Sequence, residues 1–153
     1  MTRNEFIQRF KLHQIGESSH NYQHHLPLKS AAVLIGLIDT DQGLQVLLTK
    51  RADHLKHHPG QVSFPGGKVE ASDENLIATA LREAQEEISL SPSAVYVIGQ
   101  LPAYETISGY HVTPIIGLIE NNQAYDKDEN EVAEIFQVPL THFLTPENHH
   151  RKN

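Results

Sequence analysis

The chain has no cysteine, which removes disulfides, thiolate metal sites and cysteine nucleophiles from consideration. It has no apolar run near the ~20 residues that a membrane-spanning helix needs, so no membrane partner is expected. The opening stretch MTRNEFIQRFKLHQ lacks the apolar core of a signal peptide, and the chain reads as cytoplasmic. Positive charge is scarce. Twelve Lys and Arg against nineteen Asp and Glu give a net charge of −7, which argues against a general nucleic-acid binder. Repeats, low-complexity tracts and a second domain are missing too. With 153 residues and 39% hydrophobic content, one domain over 1–153 with one core is expected.

Hydrophobic periodicity divides the chain into elements. Phe6, Ile7 and Phe10 recur at helical spacing, so residues 4–15 predict a short amphipathic helix, followed by a polar loop to 30. Ala31–Ile38 and Leu44–Thr49 flank the turn-forming DTDQG and predict a β-hairpin. Residues 50–67 are rich in Pro, Gly and His and predict a long loop, of the kind that is often functional. Leu76, Ile77, Ala80, Leu81, Ala84 and Ile88 predict a helix over about 74–88, capped by Ser72 or Asp73 and stopping before Ser91-Pro92. Strands are expected at 95–101, 112–119 and 133–138, with a last helical turn at THFL. Strands on both sides of a helix suggest a mixed α/β sandwich.

On the predicted helix, Glu83, Glu86 and Glu87 stand at i, i+3 and i+4, so their carboxylates project towards one region. Like charges at that spacing repel, and acidic side chains in a last turn face the negative end of the helix dipole. A solvated helix face is the bland explanation. A Gly-Gly loop ahead of the helix and Arg82 immediately before Glu83 favour another, in which hard divalent cations such as Mg²⁺ supply the counter-charge.

These residues carry a resemblance. Gly67 to Leu90, GKVEASDENLIATALREAQEEISL, resembles the Nudix box, with Arg82, Glu83, Glu86 and Glu87 on its Arg-Glu-x-x-Glu-Glu core. The box is one residue longer than the commonest form, which leaves its early acidic position open between Asp73 and Glu74. Its usual closing glycine is Ser89. The preceding stretch, LLTKRADHLKHHPGQVSFPGG, is similar to the coenzyme A pyrophosphatase branch, where the longer box is usual. The likeness runs from Ala31 to Leu140. Relatives continue with a further strand and a closing helix, so the C-terminus reads as short.

The resemblance implies an α/β fold, a Nudix-type α/β/α sandwich with a mixed sheet. It implies an Mg²⁺- or Mn²⁺-dependent pyrophosphohydrolase that cleaves coenzyme A or a derivative into 3′,5′-ADP and 4′-phosphopantetheine. Glu83 and Glu87 are its first metal ligands, Glu86 shares the metals or orients the water, and the Gly67 carbonyl is a further ligand. Arg82 would hold a glutamate through a bidentate contact. Which glutamate is the general base stays open. Lys50, Arg51, His54, Lys56, His57 and His58 form a basic loop suited to a polyanion. The substrate-binding candidates in it are Arg51, His58, Gln61 and Lys50. Glu131 is either an additional site carboxylate or an exposed strand-end residue. A homodimer is admissible. The alternatives are hydrolysis of ADP-ribose or a dinucleotide, and a Nudix-fold binding module that does not turn over.

Overall fold

The computed structural model describes residues 27–144; the expected N-terminal helix and the C-terminal end lie outside them. The DTDQG turn folds as read. Strand β1 (Lys29–Thr40) returns as β2 (Gly43–Arg51), with Thr40 opposite Gly43. Gly43 sits at φ 102, where a side chain would be strained, and the Thr40 hydroxyl donates to its carbonyl at 2.7 Å.

The hairpin is paired only from Leu37↔Val46 to its turn. Beyond that point, two short strands occupy the opening between β1 and β2. Strand β3 (Val62–Ser63) pairs with the end of β2, and β4 (Gly66–Lys68) with the start of β1, as Ala32↔Gly67. The predicted loop over 50–67 therefore ends in strands. Two- and three-residue strands are too short to give a periodic signal.

After β4 comes helix α1 (Leu76–Ile88), then a 3₁₀ turn at Pro92–Ala94. Strands β5 (Val95–Gln100), β6 (Tyr104–Glu105), β7 (Tyr110–Ile119) and β8 (Val132–Pro139) follow, and helix α2 (Leu140–Leu144) ends the described chain. The sheet runs β3-β2-β1-β7-β5, with β8 on β2, β4 on β1 and β6 on β7. Strand β1 is parallel to β7 from Lys29↔Tyr110 to Ile38↔Ile119, while the other pairs are antiparallel. The sheet is mixed.

Burial on both faces explains why AAVLIGLI is a continuous apolar run rather than an alternating one. Ala32, Leu34 and Ile38 pack with Ala80, Ala84 and Ile88 of α1, whereas Ile35 and Leu37 join Val46, Leu48 and Leu140 on the opposite face. Ala80 and Ala84 have no exposed surface, so the helix axis lies close to the sheet. Truncating Ile88 to alanine there would cost ~2–5 kcal/mol.

The helix starts one or two residues later than expected. Asn75 is the N-cap, in extended backbone, and its side chain accepts from the Ala78 amide at 2.8 Å. Asp73 is not the cap, because its carboxylate is bonded elsewhere. Among the described residues no helix is long and apolar enough to cross a membrane.

Candidate active site

Strand β4 and α1 meet where two glycines leave no room for side chains. A Cβ on Gly66 would run into the Ala32 carbonyl and stand 2.7 Å from the Val33 Cα; on Gly67 it would strike the Glu83 carboxylate. Through this gap the helix brings two carboxylates onto the loop. The Gly66 amide donates to Glu87 Oε1 at 2.9 Å, and Glu83 lies against Gly67 with its side chain 17% exposed.

Both carboxyls are perturbed in the same direction. Burial pushes Glu83 up to about 7; Arg82 opposes the shift, and Glu86, Glu131 and Glu70 add to it. Burial pushes Glu87 up to about 8, opposed by the Gly66 amide and by Arg51, and reinforced by Glu83 and Glu131. The physical content is a pair of desolvated carboxylates with too little positive charge beside them.

Arg82 offsets the charge of that pair only in part, through Glu83. Its Nε donates to Asp73 Oδ1 at 2.9 Å and its Nη2 to Asp73 Oδ2 at 3.1 Å, and Nη2 also reaches the Lys68 carbonyl at 2.9 Å. Its Nη1 donates to both Glu86 oxygens, at 3.2 and 3.3 Å, and stands 3.8 Å from Glu83. The bidentate partner of Arg82 is thus an aspartate, and Glu86 takes the third nitrogen. Arg82, followed by the Glu70 amide, holds the Asp73 carboxyl well below its usual range. Of the two candidates Asp73 and Glu74, Asp73 is the one that Arg82 holds. The arginine fastens the start of the helix to β4 and gives the pair no more than its 3.8 Å approach to Glu83.

The expected three-glutamate set therefore divides. Glu83 and Glu87 face the glycine loop, while the Glu86 side chain is 55% exposed on Arg82. Among the described residues no three His, Asp or Glu side chains form a ready-made metal cage. The donor chemistry nonetheless fits a hard divalent cation. The available atoms are carboxylate oxygens, which suit Mg²⁺ or Mn²⁺ rather than softer metals.

The basic loop is hung on Arg51, at the end of β2. Its amide donates to the Gln61 carbonyl at 2.8 Å, its carbonyl accepts from Gly60 at 3.1 Å, and its Nε donates to the His57 carbonyl at 3.2 Å. His58-Pro59-Gly60-Gln61 turns back with a 3.3 Å bond between the Gln61 amide and the His58 carbonyl, and Gly60 takes φ 72. Arg51 is close enough to Glu87 to lower its pKa. Lys50 lies in the sheet, opposite Val62 and Glu134. His58 and Gln61 are exposed, and no hydrogen bond or ion pair links their side chains to the carboxylates among the described residues.

In the segment between β7 and β8, sequence reasoning singled out Glu131 alone and missed the backbone ties around it. The Asp128 amide donates to the Glu87 carbonyl at 2.9 Å, and the Ala52 amide donates to the Glu131 carbonyl at 2.9 Å. These residues join the ends of α1 and β2 through backbone bonds, for which side-chain identity gives no signal.

The profile of the NUDIX domain matches residues 27–153. A protein of Yersinia enterocolitica described as an uncharacterized Nudix hydrolase NudL is 47% identical over 139 residues, covering 91% of this chain and 69% of its own length. Among solved structures, a Nudix hydrolase from M. smegmatis, RenU, superposes with a TM-score of 0.65 at 23% identity, over 80% of this chain and 78% of that one. The NUDIX domain of Shewanella oneidensis NrtR, cocrystallised with ADP ribose, gives 0.58 at 22% identity, over 94% and 87%.

Proposed function

Because the chain belongs to the Nudix family, whose hydrolases cleave pyrophosphate bonds, we propose that it hydrolyses the pyrophosphate of coenzyme A or a derivative with Mg²⁺ or Mn²⁺. The products are 3′,5′-ADP and 4′-phosphopantetheine. The observation that carries the metal requirement is the desolvated pair Glu83 and Glu87 on the glycine loop, both displaced towards neutrality by burial.

In this reading Glu83 and Glu87 hold the ion, with Glu86 and the Gly67 carbonyl as further donors. A divalent cation there supplies charge for the phosphoryl oxygens and makes water a better nucleophile. Gly66 fixes Glu87 through its amide, so the carboxylate is oriented before substrate arrives. Arg82 and Asp73 act at a distance, fastening the helix to β4. The role of base falls within the Glu83, Glu86 and Glu87 set.

Arg51 supports the substrate side, as a cation between the basic loop and Glu87. With Lys50, His58 and Gln61 it forms the candidate recognition surface for the diphosphate and an additional phosphate. A second reading, ADP-ribose as substrate, draws on the fold shared with the NrtR domain that binds ADP ribose. A panel of coenzyme A, dephospho-coenzyme A, ADP-ribose and dinucleotides with each metal, read by product mass, tests both. Release of 3′,5′-ADP supports the first reading. Faster turnover of ADP-ribose replaces it with the second, and no turnover of any diphosphate overturns both.

A further inference from the structure

Ser89 closes α1 in the left-handed region, at φ 60 and ψ 29, where a Cβ is unfavourable and glycine is the usual occupant. One contact accompanies the strain. The Ser89 hydroxyl donates to the Asp126 carbonyl, 3.0 Å away.

Asp126 belongs to the segment between β7 and β8, which two more bonds stitch to the same helix end. The Asp126 amide donates to the Ile88 carbonyl at 3.1 Å and the Asp128 amide to the Glu87 carbonyl at 2.9 Å. These are last-turn carbonyls, which a helix by itself leaves without partners. Asp128 then organises the turn that follows. Its carbonyl accepts from Glu131 at 3.0 Å and Val132 at 2.8 Å, and its carboxylate from the Asn130 amide at 3.0 Å. The far end is tied by the 2.9 Å bond from Ala52 to the Glu131 carbonyl, next to Arg51.

Residues 126–131 therefore form a strap from the Glu87 and Ile88 carbonyls at the end of α1 to the end of β2, with Glu131 as its last residue. Glycine at 89 would close the helix with less strain, but it would leave the strap one bond short. We propose that Ser89 is a positioning residue, whose hydroxyl clasps the strap to α1 and so fixes Glu131, at the strap's other end, relative to the helix end that carries Glu83 and Glu87. The inference rests on the functional reading above, since the property it sets is the affinity of that carboxylate group for a divalent cation.

Ser89→Gly tests it, because glycine relieves the backbone while deleting the hydroxyl. The melting temperature is expected at or above that of the wild type. Mn²⁺ affinity, read by electron paramagnetic resonance, should fall about tenfold, as when a partner behind a metal ligand is removed. kcat should fall with it while KM for the diphosphate substrate stays unchanged, and the Asp126 and Asp128 amides should exchange faster. Ser89→Asn, which tolerates left-handed backbone and carries a donor, should restore affinity. The losses of Ser89→Gly and Glu131→Gln should not add in the double variant. Mn²⁺ affinity within twofold of wild type in Ser89→Gly overturns the proposal. A wild-type chain that binds no Mn²⁺ overturns the functional reading instead. In that case amide exchange decides the clasp alone: faster exchange supports it and unchanged exchange overturns it.

Discussion

Glu87→Gln separates the electrostatic cost of the carboxylate pair from its use. Glutamine keeps the shape and retains an oxygen that can accept the Gly66 amide, which now donates to Glu87 at 2.9 Å. What disappears is a charge. Burial raises the Glu87 carboxyl from its ordinary 4.5 to about 8, so the folded chain binds this proton more tightly than the unfolded one. The sign follows from linkage. The stabilising contribution of the protonated group is complete below pH ~4.5 and is lost as pH rises through about 8. At ~1.4 kcal/mol per unit the shift bounds the loss at ~5 kcal/mol, and partial solvent access reduces it to ~1–3 kcal/mol. In chelator at pH 8.5, Glu87→Gln should therefore melt above wild type, by ~3–9 °C at ~3 °C per kcal/mol for a chain of this size. At pH 5 the two should melt together. Mg²⁺ or Mn²⁺ at about 1,000 times its Kd should reverse the order at pH 8.5, because it stabilises wild type by ~4.1 kcal/mol and the variant little. Turnover should fall at least about a thousandfold, ~4 kcal/mol of transition-state stabilisation. A variant less stable than wild type in chelator at pH 8.5, or one with wild-type turnover, would refute the reasoning.

Gly67→Ala should evict the Glu83 carboxylate while the fold survives, because the atom in its way is the end of a flexible side chain. Weakened metal-induced stabilisation with a melting temperature near wild type in chelator is the expected result. Gly66→Ala meets backbone at Ala32 and Val33 instead. It should destabilise by ~3 kcal/mol or more, read by urea denaturation. Asp73→Asn should weaken the Arg82 fastening and make stability less sensitive to acid. The Asp73 carboxyl lies below its ordinary 3.8, and its contribution, present above that value, is lost as pH falls. Arg51→Ala should slow coenzyme A hydrolysis about tenfold to a hundredfold more than that of dephospho-coenzyme A, if one charge-assisted hydrogen bond to the 3′-phosphate is lost. Equal slowing of the two substrates would remove Arg51 from that role.

The sequence by itself determined the elements whose burial is periodic or continuous. The hairpin around DTDQG, the helix expected over about 74–88 and the strands expected at 95–101, 112–119 and 133–138 form within a few residues of those bounds, because they follow from the placement of apolar residues. It also determined that acidic residues gather at one helix end, because Glu83, Glu86 and Glu87 are neighbours along the chain. Tertiary structure decided how that charge is shared. Arg82 reaches Asp73 nine positions earlier through a turn whose length no periodicity reports. It draws Glu86 outwards and leaves Glu83 and Glu87 desolvated against the glycines. The short strands β3 and β4, which create that gap, exist only because β1 and β2 part company. The strap from Asp126 to Glu131 depends on backbone donors meeting orphan carbonyls at the end of α1. Every residue but proline has such a donor, so their meeting is a property of the folded chain and not of the letters that compose it.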